Sequence, residues 1–190
     1  MGATPARRGT AQVYRPRAPL LVDDSPVIRA STLALALLAG AACSGGPDPV
    51  TVYSEVVRHM TTEQGQPSGF RVIYVLDRVV GNRADPDDPA AGEPLGRAER
   101  AALAAALRDV APVEFVSTRA EVVGPPAEGA RVQNGGIFLT LGPVSGDEDR
   151  VLVPASSYLG NLAGSWQTWV VERVGDRWRV TGTEGPVAVS

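Results

Sequence analysis

The feature that most constrains the fold of this chain is the pair Gly175-Asp176, set between two runs in which apolar and polar residues alternate. Glycine first in a two-residue connection suits a type II′ hairpin turn, since its backbone reaches positive φ without steric cost. With these two residues as the loop, Val174 faces Arg177, Glu172 faces Arg179 and Val171 faces Val180. Successive side chains in a strand point to opposite faces, so Trp169, Val171, Trp178 and Val180 share one face, which is expected to be buried. Glu172 and Arg179 are expected to pair on the other face. A slip of one residue would put the two tryptophans on opposite faces, so the pattern specifies one register.

The rest of the final third also reads as β structure. Residues 136–142, 150–158, 165–174 and 177–183 are candidate strands, with 187–190 as a further one. The earlier part is mixed. Asp48-Pro49 reads as an N-cap followed by proline at the first helical position, and Val52, Tyr53, Val56, Val57 and Met60 recur at helical spacing, which predicts a helix over 50–62. Residues 70–77 are almost wholly apolar, as in a strand covered on both faces. A loop over 82–96 precedes a second helix over 98–110, and 113–117 reads as a strand, followed by an irregular segment over 119–135. Two early helices and a late meander predict an α+β domain, with an antiparallel sheet of about five or six strands and both helices on one face.

Three groups of residues carry a resemblance across most of residues 50–190. They are Tyr74-Val-Leu-Asp77, then Gly135-Gly136 leading to Leu141-Gly142, then Trp178-Arg-Val-Thr-Gly182 before the terminal run. In these the chain resembles small uncharacterised secreted or lipid-anchored bacterial proteins. The resemblance implies a shared fold and nothing about chemistry.

The run Leu-Ala-Leu-Ala-Leu-Leu-Ala-Gly-Ala-Ala-Cys at 33–43, followed by Ser-Gly-Gly-Pro, resembles a bacterial lipoprotein signal peptide ending at Cys43. In that family a diacylglycerol is joined to the cysteine by a thioether and the preceding residues are removed. The apolar stretch over 30–42 matches the roughly 7–15 residues of a signal-peptide core, and falls short of the roughly 20 needed to span a bilayer. Gly40 departs from the pattern, which usually has leucine or a similar residue three places before the cysteine. An ordinary secretory signal with Ala39 and Ala41 as an A-x-A-like site is one alternative, and a structural cysteine in a short buried helix is another. Residues 1–29 are long for the segment before such a core and contain Asp23 and Asp24. Translation is therefore expected to start nearer the apolar run, at Val22 or Val27. The reading divides the chain into a signal peptide over 1–42, a lipidated tether over 43–49 and a single domain over 50–190.

Charge then narrows the function classes. Residues 1–42 hold five of the 18 basic and two of the 21 acidic side chains, which leaves 13 and 19 in the mature chain, a net charge of −6. A mildly acidic chain without a basic cluster lacks the electrostatic footprint of a nucleic-acid binder, and adhesion to anionic lipid by charge is equally disfavoured. The expected partners are thus the membrane, through the lipid anchor, and an envelope protein or a small ligand. Every basic residue is arginine, so neither a Schiff-base lysine nor a phosphate-loop lysine is available. One cysteine precludes an intrachain disulfide, and one histidine precludes a multi-histidine metal site. No cofactor is expected.

Several constellations in the chain suggest sites. Glu55, His59 and Glu63 stand at helical spacing, where a loose metal site competes with an ordinary solvated flank. Asp85, Asp87 and Asp88 suggest calcium, but the fifth and sixth positions counted from Asp85 are Pro89 and Ala90, which excludes an EF-hand. Asp147-Glu148-Asp149 reads as a charged hairpin tip. Ser54 precedes His59 by five positions, so their side chains diverge on a helix, and the chain has no G-x-S-x-G elbow. No catalytic residue and no metal ligand is assigned. Tyr158 and Trp166 flank a run of small residues over 160–164, where aromatic rims could border a ligand or partner surface; core packing is the competing explanation.

Overall fold

The computed structural model describes residues 46–62, 69–81, 84–125, 129–161 and 163–189. Cys43, the apolar run before it and Glu63 lie outside the described residues. Helix α1 (Pro49–Thr62) begins where Asp48 accepts the backbone N–H groups of Val50 at 3.4 Å and Thr51 at 3.2 Å. This satisfies donors that the first helical turn leaves without partners. The apolar stripe of α1, from Val52 to Met60, is buried as its spacing predicts. Helix α2 (Arg97–Leu107) buries Leu103 and Leu107, and Glu99 accepts the N–H of Gly96 at its start, at 2.6 Å. Arg58 joins the helices with a forked pair of bonds to Asp109, 2.8 and 3.0 Å, and a third to the Ala106 carbonyl.

The strands are β1 (Ile73–Val79), β2 (Glu93–Pro94), β3 (Val113–Val116), β4 (Ile137–Leu141), β5 (Ser145–Gly146), β6 (Arg150–Gly160), β7 (Ala163–Val174) and β8 (Arg177–Val189). They form one eight-stranded sheet with the main order β2-β1-β4-β6-β7-β8, where β3 also pairs with β1 and β5 with β6. The domain is α+β. The expectation of five or six antiparallel strands needs correction on both points. The sheet is mixed, because β1 pairs in parallel with β3 and with β4. Parallel neighbours require a long connection that returns the chain to the same end. Here α2 supplies one such return and residues 117–136 supply the other. The extra strands β2 and β5 have two residues each, too few to leave a periodic pattern. Residues 187–189 form no separate strand; they continue β8 beyond an irregularity at Gly185, where φ is +78°.

The hairpin of β7 and β8 has the register read from the turn, with Val174 opposite Arg177, Glu172 opposite Arg179 and Val171 opposite Val180. Gly175 has φ +62° while Asp176 does not reach positive φ, as a type II′ turn requires. Trp169 is 2% exposed and Trp178 9%, both on the helix-covered face. The charges opposite one another pair elsewhere: Glu172 lies 3.5 Å from Arg150, and Arg179 lies 3.3 Å from Glu55 on α1.

Both helices cover one face, where Val56 and Leu103 pack with Val75, Leu139 and Trp169. On the opposite face Tyr74, Leu76 and Phe138 are covered by Val122 and Val132 from the segment between β3 and β4. Strands β1 and β4 are therefore buried on both sides, which accounts for their nearly continuous apolar sequence.

Tyr53 gives this packing a pH signature. Its hydroxyl donates to the Gly142 carbonyl at 3.1 Å in the buried layer between α1 and the sheet. Burial, reinforced by the charges of Glu99 and Glu93, pushes its pKa up to about 12 from the ordinary 10. The neutral phenol is favoured in the folded state, so its contribution is complete below pH 10 and is lost as pH rises from about 10 through 12. A shift of this size corresponds to roughly 2–3 kcal/mol. Denaturant melts should lose that stability across this window, and Tyr53→Phe should flatten the loss. An equally steep alkaline limb in Tyr53→Phe would show that another group is responsible.

Candidate functional site

On the face away from the helices, strand register builds a row of side chains. Thr140 on β4 lies opposite Ser156 on β6, and Ser156 lies opposite Trp166 on β7. The adjacent row holds Phe138 opposite Tyr158 and Tyr158 opposite Gly164. Directly paired residues share a face, so two hydroxyls and three aromatic rings line one patch, with a glycine leaving space beside Tyr158. Above this floor lie Gly81, Ala84 and Pro86 from the β1–β2 connection and Arg119 from the turn after β3. Together they enclose a pocket of about 140 Å³.

The hydroxyls of Thr140 and Ser156 lie 2.6 Å apart and are almost fully buried. The Tyr158 hydroxyl donates to the Ala130 carbonyl at 2.9 Å, which holds its ring in place. Arg119 lies over that ring, 5.8 Å from its centre, and its guanidinium bonds Asp87 at 2.7 Å. The Ala120 N–H donates to the same carboxylate at 3.0 Å. The one charged lining residue among those described is thus compensated by an adjacent acid.

The roof is fixed from beneath by Arg78, whose side chain is 5% exposed. Its guanidinium donates to the carbonyls of Ser117, Pro86 and Asp88 and to the Asp77 carboxylate, while its Nε finds no partner among the described residues. Asp77 in turn accepts the Ser117 hydroxyl at 2.9 Å. A fork with five donors can bind several backbone acceptors at once, so one side chain ties two loops to the sheet.

The residues singled out from sequence fare differently. Tyr158 and Trp166 meet in this pocket, but they stand within β6 and β7 and do not border a long loop: β6 continues to Gly160 and β7 begins at Ala163. Asp85, Asp87 and Asp88 are occupied by their own chain. Asp85 accepts the Asp87 N–H and Asp88 the Ala90 N–H, both at 2.9 Å, and Asp87 takes Arg119. The stripe on α1 is no free flank, for Glu55 pairs with Arg179 and the His59 ring meets Trp169 edge-on at 5.0 Å. Ser54 donates back to the Thr51 carbonyl. Asp147 accepts the N–H groups of Asp149 and Arg150, as a tight tip does. Among the described residues no three acids, histidines or cysteines stand close enough to hold a metal ion.

Sequence reasoning missed Arg78, Arg119, Thr140 and Ser156. The signal for Arg78 was present, since it continues the inward alternation Tyr74, Leu76, Arg78, Val80 of a strand read as buried on both faces. The hydroxyls carried no comparable signal. No family model, curated protein or solved structure matches the chain.

Proposed function

We propose that this chain is a bacterial lipoprotein whose domain over 50–190 is a binding or accessory module, held at the outer face of the cell membrane by lipid on Cys43. The observation supporting the binding role is the pocket under the 84–91 loop. Its floor is set by strand register and its roof is tied down by a buried arginine, so it exists before any ligand arrives. A preformed cavity in which polar groups share the lining with aromatic rings can both orient and cover a small ligand, and preorganisation lowers the cost of binding. The location rests on the apolar run ending in Cys43.

A hydrolase using carboxylates is less well supported. Such an enzyme needs one acid held protonated near neutral pH. Among the described residues two carboxyl groups with displaced ionisation, Asp109 and Asp147, are both held low, by the Arg58 side chain and by backbone N–H groups respectively, and neither lines the pocket.

The anchor is tested by metabolic labelling. Wild-type protein should incorporate labelled palmitate and remain with membranes, because two acyl chains together give stable attachment where one is marginal. Cys43→Ala should abolish labelling and accumulate unprocessed precursor, or material rerouted through the A-x-A-like site. Wild-type protein that takes up no palmitate and is recovered as free product beginning at Ala42 would establish simple secretion instead.

A further inference from the structure

We infer that the pocket between Trp166, Tyr158 and the Thr140–Ser156 pair takes a single neutral sugar ring. The inference rests on the reading of this pocket as a ligand site and adds the class of ligand. Three properties of the lining select it.

Size is the first. A drug-sized ligand occupies roughly 300 Å³ or more, whereas this pocket has about 140 Å³. At about 30 Å³ per water molecule, it holds the equivalent of about five waters. The pocket takes the body of one ring with its outer hydroxyls at the mouth, and a chain of rings would have to extend outward past the mouth.

Charge is the second. Among the described residues Arg119 is the one ionised side chain in the lining, and Asp87 at 2.7 Å compensates it. An anion would have to compete with that carboxylate, and a cation would meet the guanidinium. A neutral ligand meets neither penalty.

Hydrogen-bonding chemistry is the third. A hydroxyl has one donor and two acceptor sites. The bond between Thr140 and Ser156 uses one of their two protons, so the pair retains both donor and acceptor capacity at one buried spot. A purely apolar ligand would leave that capacity unmet, at a cost. A sugar hydroxyl is itself donor and acceptor and matches either orientation of the pair. The C–H face of the same ring has an apolar surface to set against Trp166 and Phe138, with Tyr158 alongside. Aromatic walls plus a small polar cluster thus correspond to the two surfaces of one molecule.

The test uses the full chain with ligand-observed NMR and tryptophan fluorescence. Trp166 is the tryptophan at the pocket, whereas Trp169 and Trp178 lie under the helices. One panel holds neutral monosaccharides and their methyl glycosides, with sugar acids and amino sugars as charged counterparts. A second holds neutral ring compounds of similar size that lack hydroxyls. Neutral sugars should bind weakly, on the order of millimolar as small ligands do, and shift the emission of Trp166. Thr140→Val and Trp166→Ala, each confirmed by an unchanged melting profile, should weaken binding by about tenfold, in line with loss of a hydrogen bond or an aromatic contact. Equal binding of a methyl glycoside and its free sugar would identify the end of a glycan chain as the ligand; binding of the free sugar alone would identify a monosaccharide. Preference for charged sugars, or for rings without hydroxyls, would overturn the sugar assignment and leave the pocket standing as a ligand site. Silence from both panels would overturn the pocket as well.

Discussion

Replacing Trp169 with alanine is expected to cost about 3–5 kcal/mol, the range for truncating a core aromatic and leaving a cavity. The side chain is 2% exposed and is the largest of the fully buried ones. It packs where α1 meets β7, with the His59 ring edge-on at 5.0 Å and 71°. Its indole Nε1 is buried without a hydrogen-bond partner among the described residues. Trp169→Phe should therefore recover much of the loss, since it keeps an aromatic ring and removes a donor that gains nothing. Trp178→Ala should fall at the lower end of the same range, because Trp178 is 9% exposed near the hairpin tip, where Arg173 lies over its ring at 5.3 Å. Glu172→Ala should cost about 0–1 kcal/mol, as surface ion pairs do. Urea melts of the four variants check the series. Equal losses for Glu172→Ala and either tryptophan variant would contradict the packing described for this hairpin.

Arg78→Met is expected to be as damaging, for a different reason. Three backbone carbonyls, from Ser117, Pro86 and Asp88, lose their shared donor, and Asp77 loses its neighbouring cation. Each buried acceptor left without a partner costs about 1–3 kcal/mol, and breaking a buried charged cluster from one side typically costs about 3–5 kcal/mol. Arg78→Lys keeps the charge and loses the fork, so it should retain only a minor part of the stability. The effect should also be local. Amide exchange in the 84–91 loop should accelerate more than in α1, because Arg78 ties that loop to the sheet while α1 packs on the far face. A variant within about 1 kcal/mol of wild type would show that water replaces the guanidinium at those carbonyls.

These two side chains also mark the limits of what can be read from the linear chain. Trp169 was placed correctly because its face follows from the Gly175-Asp176 turn and a strict alternation, all within a few residues. Helices α1 and α2 were legible for the same reason, since a cap and a 3.6-residue stripe are local patterns. Arg78 was not placed, because its backbone partners are eight to 39 positions away and lie on loops whose conformation the fold decides.

The order of residues by itself determined the α+β class, the two helices and the register of the last hairpin. Each of these depends on neighbours within a turn or a hairpin, where closing the chain costs little entropy. Only the tertiary structure decided that β1 runs parallel to β3 and β4, and that Thr140, Ser156 and Trp166 form one row across three strands. It likewise brought Arg119 to Asp87 across 32 positions. Such contacts come from distant segments that must bury their apolar faces together. No short stretch of sequence records which distant segment will cover it, so the pocket emerges only when the sheet is assembled.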